Sequence, residues 1–413
     1  MTFFSPTRLK FQRRQVKILI VSSLYHPNIV GGAEKVAQNL AEGLVARGHE
    51  AVVATTSPRR HSEVMSVDGV RVHYVPVRNL YFITQNNGRS DAVKALWHGL
   101  DTYNPFMASS LGRILDAERP DVVNTHNLVG FSVSAWSAIK SRRLPLVHTA
   151  HDHYLLCPRS TMHRNGKNCT EPCSDCAVYG GARRRFTKLV DIAMAPSRFM
   201  LNRHLSAGCF PTAERKAVYN CCELPSELKT AGEGADHPLR FGFLGALHSG
   251  KGIDLLVQAY LALPKGEAEL VIAGRGTPDY ERELREMTHD RPEIRWLGFV
   301  PHQTLLGQVD VLVVPSRWHD SAPVVVLEGM AYGIPLIGSR RGGIPELMGE
   351  GTGWIFDPDE PDSLIRVMKL AISSRSVLAG MSERAGERAR RFSTEIMVSE
   401  YLGAFSRAIQ HKN

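Results

Sequence analysis

Residues 310–346 read DVLVVPSRWHDSAPVVVLEGMAYGIPLIGSRRGGIPE, and the order of apolar, polar and glycine-rich segments in this stretch decides the fold class. Val311-Leu312-Val313-Val314 is a short continuous apolar run closed by Pro315-Ser316, the pattern of a strand buried on both faces. A polar turn follows at Arg317, Trp318, His319 and Asp320. Residues 323–332 then carry a helix-like pattern, which Gly333 and Pro335 bring to a stop. A second apolar run, residues 334–337, leads into Gly342-Gly343. Strand, loop, helix, strand and glycine turn make a βαβ unit, whose ligand groups gather at the carboxyl ends of its strands. Two carboxylates, Asp320 and Glu328, lie here with seven residues between them. On local pattern alone Asp320 serves equally as a helix N-cap. Glu328 is either an exposed helix residue or, flanked by Leu327 and Met330, a buried acid in need of a partner.

The same alternation runs through the whole chain. Residues 16–22 (VKILIVS) read as a central parallel strand, followed by Gly31-Gly32 and a helix over 34–47 with Val36, Leu40 and Leu44 on one face. Further strands are expected near 51–55, 70–75, 121–125 and 146–149, with helices such as 111–118 and 132–141 between them. Residues 223–238 (ELPSELKTAGEGADHP) lose apolar periodicity and read as a linker. A second series opens with a strand at 239–244 and a helix at 253–263. It continues through strands at 270–273, 294–297 and 354–357 to helices at 363–375 and 381–391. The expected class is α/β: two Rossmann-like, doubly wound domains over residues 1–222 and 239–395.

The chain has 413 residues, enough for two cores, with 43% hydrophobic and 22% charged residues. No run approaches the roughly 20 apolar residues of a membrane span. The N-terminus MTFFSPTRLKFQRRQVK lacks an apolar signal region, so a cytoplasmic location is expected. The net charge of +9 favours acidic partners: a nucleotide diphosphate, anionic lipid head groups or nucleic acid. Basic residues cluster at 10–17, at Arg142-Arg143 and at 183–188, consistent with a solvated surface or with docking at the inner face of an anionic membrane. No nucleic-acid partner is expected, because neither interleaved aromatics nor a helix-turn-helix pattern accompanies the charge.

Several residues carry candidate chemistry. Gly31-Gly32 before a helix, and Lys251-Gly252 before another, offer backbone N–H groups, and in the second case a cation, to a diphosphate. Each is equally readable as a plain turn. His126 and His151 both end strands, where α/β proteins bind ligands, and either also fits a hydrogen-bonded structural role. Cys157, Cys169, Cys173 and Cys176 share a loop rich in Asn, Gly and Pro. A structural zinc site, free thiols, or disulfide or redox use all fit that spacing, with His153 or His163 able to replace one thiol.

The 310–346 stretch resembles the C-terminal signature of glycosyltransferase family 4, retaining enzymes of the two-domain GT-B fold. That signature is a Glu, seven residues, a second Glu, a small-residue helix and Gly-x-Pro; here Glu328 fills the second position and Asp320 the first. The resemblance implies two domains facing across a cleft and a terminal helix, residues 396–413, that packs back on the first. It also implies transfer of a sugar from a UDP- or GDP-linked donor to a hydroxyl of a glycan or lipid-linked glycan, by front-face attack. His126 would stand near the reacting sugar, Asp320 would hold sugar hydroxyls and Glu328 the ribose hydroxyls. Gly31, Gly32, Gly245, Lys251, Gly274, Arg275, Ser321, Ala322, Pro323 and Val324 would complete the donor site, with no catalytic cofactor. The Cys-bearing loop would clamp the acceptor side. The chain departs from the family at Ala246, where an Arg is usual, and at Asn220-Cys221, where Asn-Gly is usual. Arg275, Arg340 and Arg341 are candidate replacements for the missing cation. The alternatives are a GT-B-fold nucleotide-sugar epimerase or phosphorylase and, more remotely, a zinc-containing nucleic-acid-binding protein.

Overall fold

The computed structural model describes residues 15–29, 31–85, 88–225 and 237–411. The basic residues 10–14 and most of the expected linker lie outside them. The chain divides into two compact units: residues 1–162, 170–219 and 394–413 form one, and residues 163–169 and 220–393 the other.

In the first unit the strands are β1 (Lys17–Ser22), β2 (Glu50–Ser57), β3 (Glu63–Val67), β4 (Val70–Pro76), β5 (Val122–Thr125) and β6 (Leu146–Thr149). After the short pair β7 (His163–Arg164) and β8 (Lys167–Asn168), which belongs to the second unit, come β9 (Ile192–Ala195) and β10 (Glu214–Ala217). The sheet order is β10-β9-β6-β5-β1-β2-β4-β3. All pairs are parallel except β3 with β4. The central strands are apolar throughout because helices cover both faces; Ile18, Leu19, Ile20 and Val21 are wholly buried. The exposed antiparallel edge strand β3 was not foreseen, since its EVMSV sequence buries no continuous apolar face. The strand order reverses direction between β1 and β5, so the loops after these two strands form the unit's ligand-binding position.

The second unit contains β11 (Leu239–Leu244), β12 (Ala268–Ala273), β13 (Ile294–Gly298), β14 (Val311–Val314), β15 (Leu336–Ser339) and β16 (Gly353–Phe356). They form an all-parallel sheet in the order β13-β12-β11-β14-β15-β16, a doubly wound Rossmann arrangement. Its core packs Phe241, Ile253, Leu256, Tyr260, Val311 and Ile337 between sheet and helices. The switch point lies between β11 and β14, and it places the loop bearing Lys251 beside the loop bearing Asp320.

Candidate active site

Asp320 is held by its neighbours on every side. Its carboxylate accepts from the Lys251 ammonium at 2.9 Å on both oxygens and from the Ser316 hydroxyl at 2.7 Å. Its backbone carbonyl accepts from Gly343 N–H at 2.8 Å. A Cβ on Gly342 (φ +55) would stand 1.8 Å from that carbonyl, so the turn accepts only glycine there. Asp320 does not cap the following helix, Val324–Ala331, whose N-cap is Pro323 with no side-chain cap. Lys251 closes a single helical turn, Ser249–Lys251, just before the helix Ile253–Leu261. Its ammonium also lies 5.4 Å from the centre of the Trp318 ring. Gly252 (φ +73) separates the two; a Cβ there would fall 1.9 Å from the Pro315 carbonyl oxygen. Two strand-end loops are thereby pressed together, and their charges meet. The ion pair was not anticipated, because its partners are 69 residues apart.

Glu328, on the helix Val324–Ala331, has a side chain only 13% exposed and pairs with His302 Nδ1 at 3.8 Å. His302 opens a short helix, His302–Leu306, that sequence reasoning did not single out. Ala322 is buried, and its carbonyl accepts from Asn220 Nδ2 at 2.9 Å, so the position where the family usually has Asn-Gly braces the loop of Ser321, Ala322 and Pro323. Gly245 and Gly274 follow β11 and β12, and Gly245 N–H donates to the Ala273 carbonyl at 3.1 Å. Arg275 stacks its guanidinium 5.9 Å from the Phe299 ring. Arg341, a candidate for the cation missing at Ala246, is 8% exposed and pairs with Asp357 and Asp359.

The β7–β8 hairpin contributes residues that no sequence signal marked. Asn168 Nδ2 donates to the Arg317 carbonyl at 2.7 Å, and its Oδ1 accepts from His319 N–H at 3.1 Å. The His163 ring meets Trp318 edge-on at 6.3 Å. The loop that carries Asp320 is therefore fastened to the hairpin just upstream of the acid.

In the first unit, Gly31 is the N-cap of the helix Gly32–Ala46, and Glu34 Oε2 accepts from Gly31 N–H at 2.8 Å. The Gly-Gly-x-Glu turn thus closes on itself, and burial raises the Glu34 carboxyl above its ordinary range. At the end of β5, His126 is wholly buried; Nε2 contacts Asn124 Oδ1 at 2.8 Å and Nδ1 contacts His151 Nε2 at 2.7 Å. The family resemblance implies that His126 stands near the reacting sugar. Both of its ring nitrogens are engaged internally, so the imidazole retaining an open nitrogen is His151. Burial holds both rings well below the usual histidine range, His151 at about 4.

Three of the four thiols are neighbours within the first unit. Cys173 and Cys176 approach to 3.6 Å at the N-terminus of the helix Ser174–Phe186, and Cys157 neighbours Cys176. Cys169 belongs with the hairpin of the other unit. His153 and His163 are directed elsewhere, against His204 and Trp318. Among the described residues no group of three or more His, Cys, Asp and Glu side chains is placed to hold a metal ion. The basic run at 183–188 is also divided: Arg183 is fully buried, 3.4 Å from Asp101 and stacked 3.8 Å from the Tyr154 ring, while Arg184, Arg185 and Lys188 line a surface hollow. Among the described residues no helix is long and apolar enough to cross a membrane.

Two family models divide the chain as its two sheets do. The model described as Glycosyltransferase Family 4 matches residues 30–224, and that described as Glycosyl transferases group 1 matches residues 238–374. The chain belongs to glycosyltransferase family 4. A similar protein is an uncharacterized 42.6 kDa protein in the cps region of Klebsiella pneumoniae, 29% identical over 80% of this chain and 87% of the relative. Among solved structures, sucrose-phosphate synthase from Thermosynechococcus elongatus superposes with a TM-score of 0.76 at 17% identity, covering 97% of this chain and 100% of that one. Anabaena HepE in complex with UDP gives 0.69 at 19% identity, covering 95% and 100%. The fold of this glycosyltransferase is GT-B, and the enzyme is a transferase acting on sugar-nucleotide donors. The switch-point loops described above are where its sequence signature falls.

Proposed function

We propose that the protein is a retaining glycosyltransferase that moves a sugar from a UDP- or GDP-linked donor to a hydroxyl of a glycan or lipid-linked glycan, in the synthesis of a cell-surface polysaccharide or glycoconjugate. The observation that carries this reading is the meeting of Lys251 and Asp320 at the switch point of the second unit, over loops built on Gly252 and Gly342. Lys251 stands just before the N-terminus of a nine-residue helix, so ammonium and helix dipole together favour a leaving diphosphate. Asp320 is an acceptor-only group suited to sugar hydroxyls. Glu328 is assigned to the ribose hydroxyls, its carboxylate lying 3.8 Å from His302 Nδ1. Gly31 and Gly32 are assigned to close backbone approach of the donor.

Arg184, Arg185 and Lys188 fit a peripheral contact with anionic lipid, which vesicle co-sedimentation tests by its loss in high salt. The test of the main reading is release of nucleoside diphosphate from a panel of UDP- and GDP-sugars with glycan acceptors. The anomeric configuration of the product is then assigned by NMR. Retention is expected. An inverted product overturns the mechanism, and turnover without diphosphate release returns the phosphorylase reading.

A further inference from the structure

The helix Ser174–Phe186 buries one face, made by Cys176, Gly180 and Arg183 at helical spacing. That face is pressed on the turn at 154–157. Arg183 Nη1 donates to the Tyr154 carbonyl at 2.7 Å, and a Cβ on Gly180 would stand 2.6 Å from the Leu156 carbonyl oxygen. Cys157, whose N–H donates to the His153 carbonyl at 2.8 Å, is thereby set against Cys176. Cys173, the N-cap of the same helix, adds a third thiol, its Sγ 3.6 Å from that of Cys176. The three are unequal in access. Cys157 and Cys176 are buried, at 5% and 4% exposure, whereas Cys173 is half-buried between the exposed Pro172 and Ser174. They are also unequal in chemistry. The Cys176 backbone N–H donates to the Cys173 sulfur and lowers that thiol below its ordinary range, as a first helical turn does for an anion. Burial raises Cys176. An accessible, readily ionised thiol is thus backed by a protected one at contact distance. The two sulfurs need to approach by about 1.5 Å to bond, which rotation about their Cα–Cβ bonds supplies.

We propose that Cys173 and Cys176 form a reversible redox site, a dithiol that closes to a disulfide by exchange with a small-molecule disulfide such as oxidised glutathione. Cys173 Sγ attacks one sulfur of the incoming disulfide. That S–S bond breaks, the released thiolate takes up the Cys173 proton, and a mixed disulfide is left on Cys173. Cys176 Sγ then attacks the Cys173 sulfur. The mixed bond breaks, the second small thiol leaves with the Cys176 proton, and the Cys173–Cys176 bond closes. The protein pair is oxidised by two electrons and the small disulfide is reduced to two thiols. Cys157 stays reduced, because it is covered and exchange begins at Cys173. Closure ties the helix N-cap to the first turn of its own helix, and Gly180 and Arg183 already hold the rest of that face. The site is independent of the glycosyltransferase reading.

The test equilibrates the whole protein in mixtures of reduced and oxidised glutathione, quenches with acid, alkylates the free thiols and maps the peptides by mass spectrometry. Cys173 and Cys176 are expected to lose alkylation together, in a peptide lighter by two hydrogen atoms, and to regain it after dithiothreitol. Cys157 is expected to stay alkylatable once the protein is denatured. In Cys176→Ser the glutathione adduct is expected to persist on Cys173; in Cys173→Ser, Cys176 is expected to take up no glutathione. Cys157→Ser is expected to close as the native protein does. A native protein that keeps glutathione on Cys173 without closing overturns the proposal. So does a disulfide through Cys157 or Cys169. Thiols that resist both oxidation and alkylation until a chelator is added hold a soft metal ion instead, which also overturns it. Should a variant fail to fold, the native peptide map decides alone.

Discussion

Glu328 and Cys173 illustrate how burial and neighbours set the behaviour of single groups. Two charge-assisted hydrogen bonds to ribose are worth about 1.5 kcal/mol each at the low end, so Glu328→Ala is expected to slow transfer about a hundredfold or more. The circular dichroism spectrum and melting temperature should stay near native, because the side chain lies at the rim of the core rather than in it. Near-native activity would remove Glu328 from the site. At Cys173, hydrogen bonding from the Cys176 backbone N–H lowers the thiol below its usual range, while burial raises Cys176, Cys209 and Cys222, the last two to about 12. Iodoacetamide followed by peptide mass spectrometry should therefore label Cys173 before the other three. Equal rates at all four would contradict the assigned environment.

Among elements, the loop from Pro315 to Pro323 depends on parts brought from distant stretches of chain. Asn168 on the hairpin contributes two hydrogen bonds to the backbone on either side of Trp318, although about 150 residues separate them in sequence. Asn168→Ala removes both, at about 1 kcal/mol each. The expected outcome is a donor KM raised severalfold, with kcat changed less and no loss of the fold; a donor KM equal to native would show that the hairpin does not set the loop. The reading of residues 310–346 as strand, loop, helix, strand and glycine turn needed only local pattern, because each element there announces itself within ten residues. β3 and the helix Ser174–Phe186 did not. The former is an exposed edge with little apolar burial, and the latter carries three arginines and a cysteine where an apolar stripe would be sought.

Across the molecule, the titration of buried groups in the first unit gives a pH dependence whose sign can be worked out. Burial lowers His98, His126, His148, His151 and His204 below their unfolded value of 6.5, three of them to about 4. Unfolding lets these imidazoles bind protons between pH 6.5 and 4, so their contribution to stability is complete above 6.5 and drains away as pH falls through that window. Burial also raises Asp101 to about 7, against the opposing Arg183, and Asp152 to about 6, and it raises Glu34. These carboxyls act in the opposite sense, losing stability as pH rises from their unfolded values toward their folded ones. With His49, which burial also lowers, six imidazoles against these three carboxyls leave a net loss on acidification, at up to about 1.4 kcal/mol per pH unit for each uncompensated group. The melting temperature should fall from pH 6.5 to pH 4 by differential scanning calorimetry; a flat or rising profile would mean that the histidines are not buried as described.

Sequence by itself determined the class of fold, the two series of strands and helices, and the places where glycine or a charged group stands at a strand end. Those features follow from hydrophobic periodicity and turn chemistry, which act over a few residues and so are written locally. It also carried the resemblance that named the family. Only the tertiary structure decided which groups meet: Lys251 with Asp320, His302 with Glu328, Asn168 with the loop at Trp318, and Asp101 with Arg183. It also decided that both ring nitrogens of His126 are engaged inside the first unit, with Asn124 and His151. Partnerships of this kind arise from the packing of segments far apart in sequence, and no local pattern encodes them.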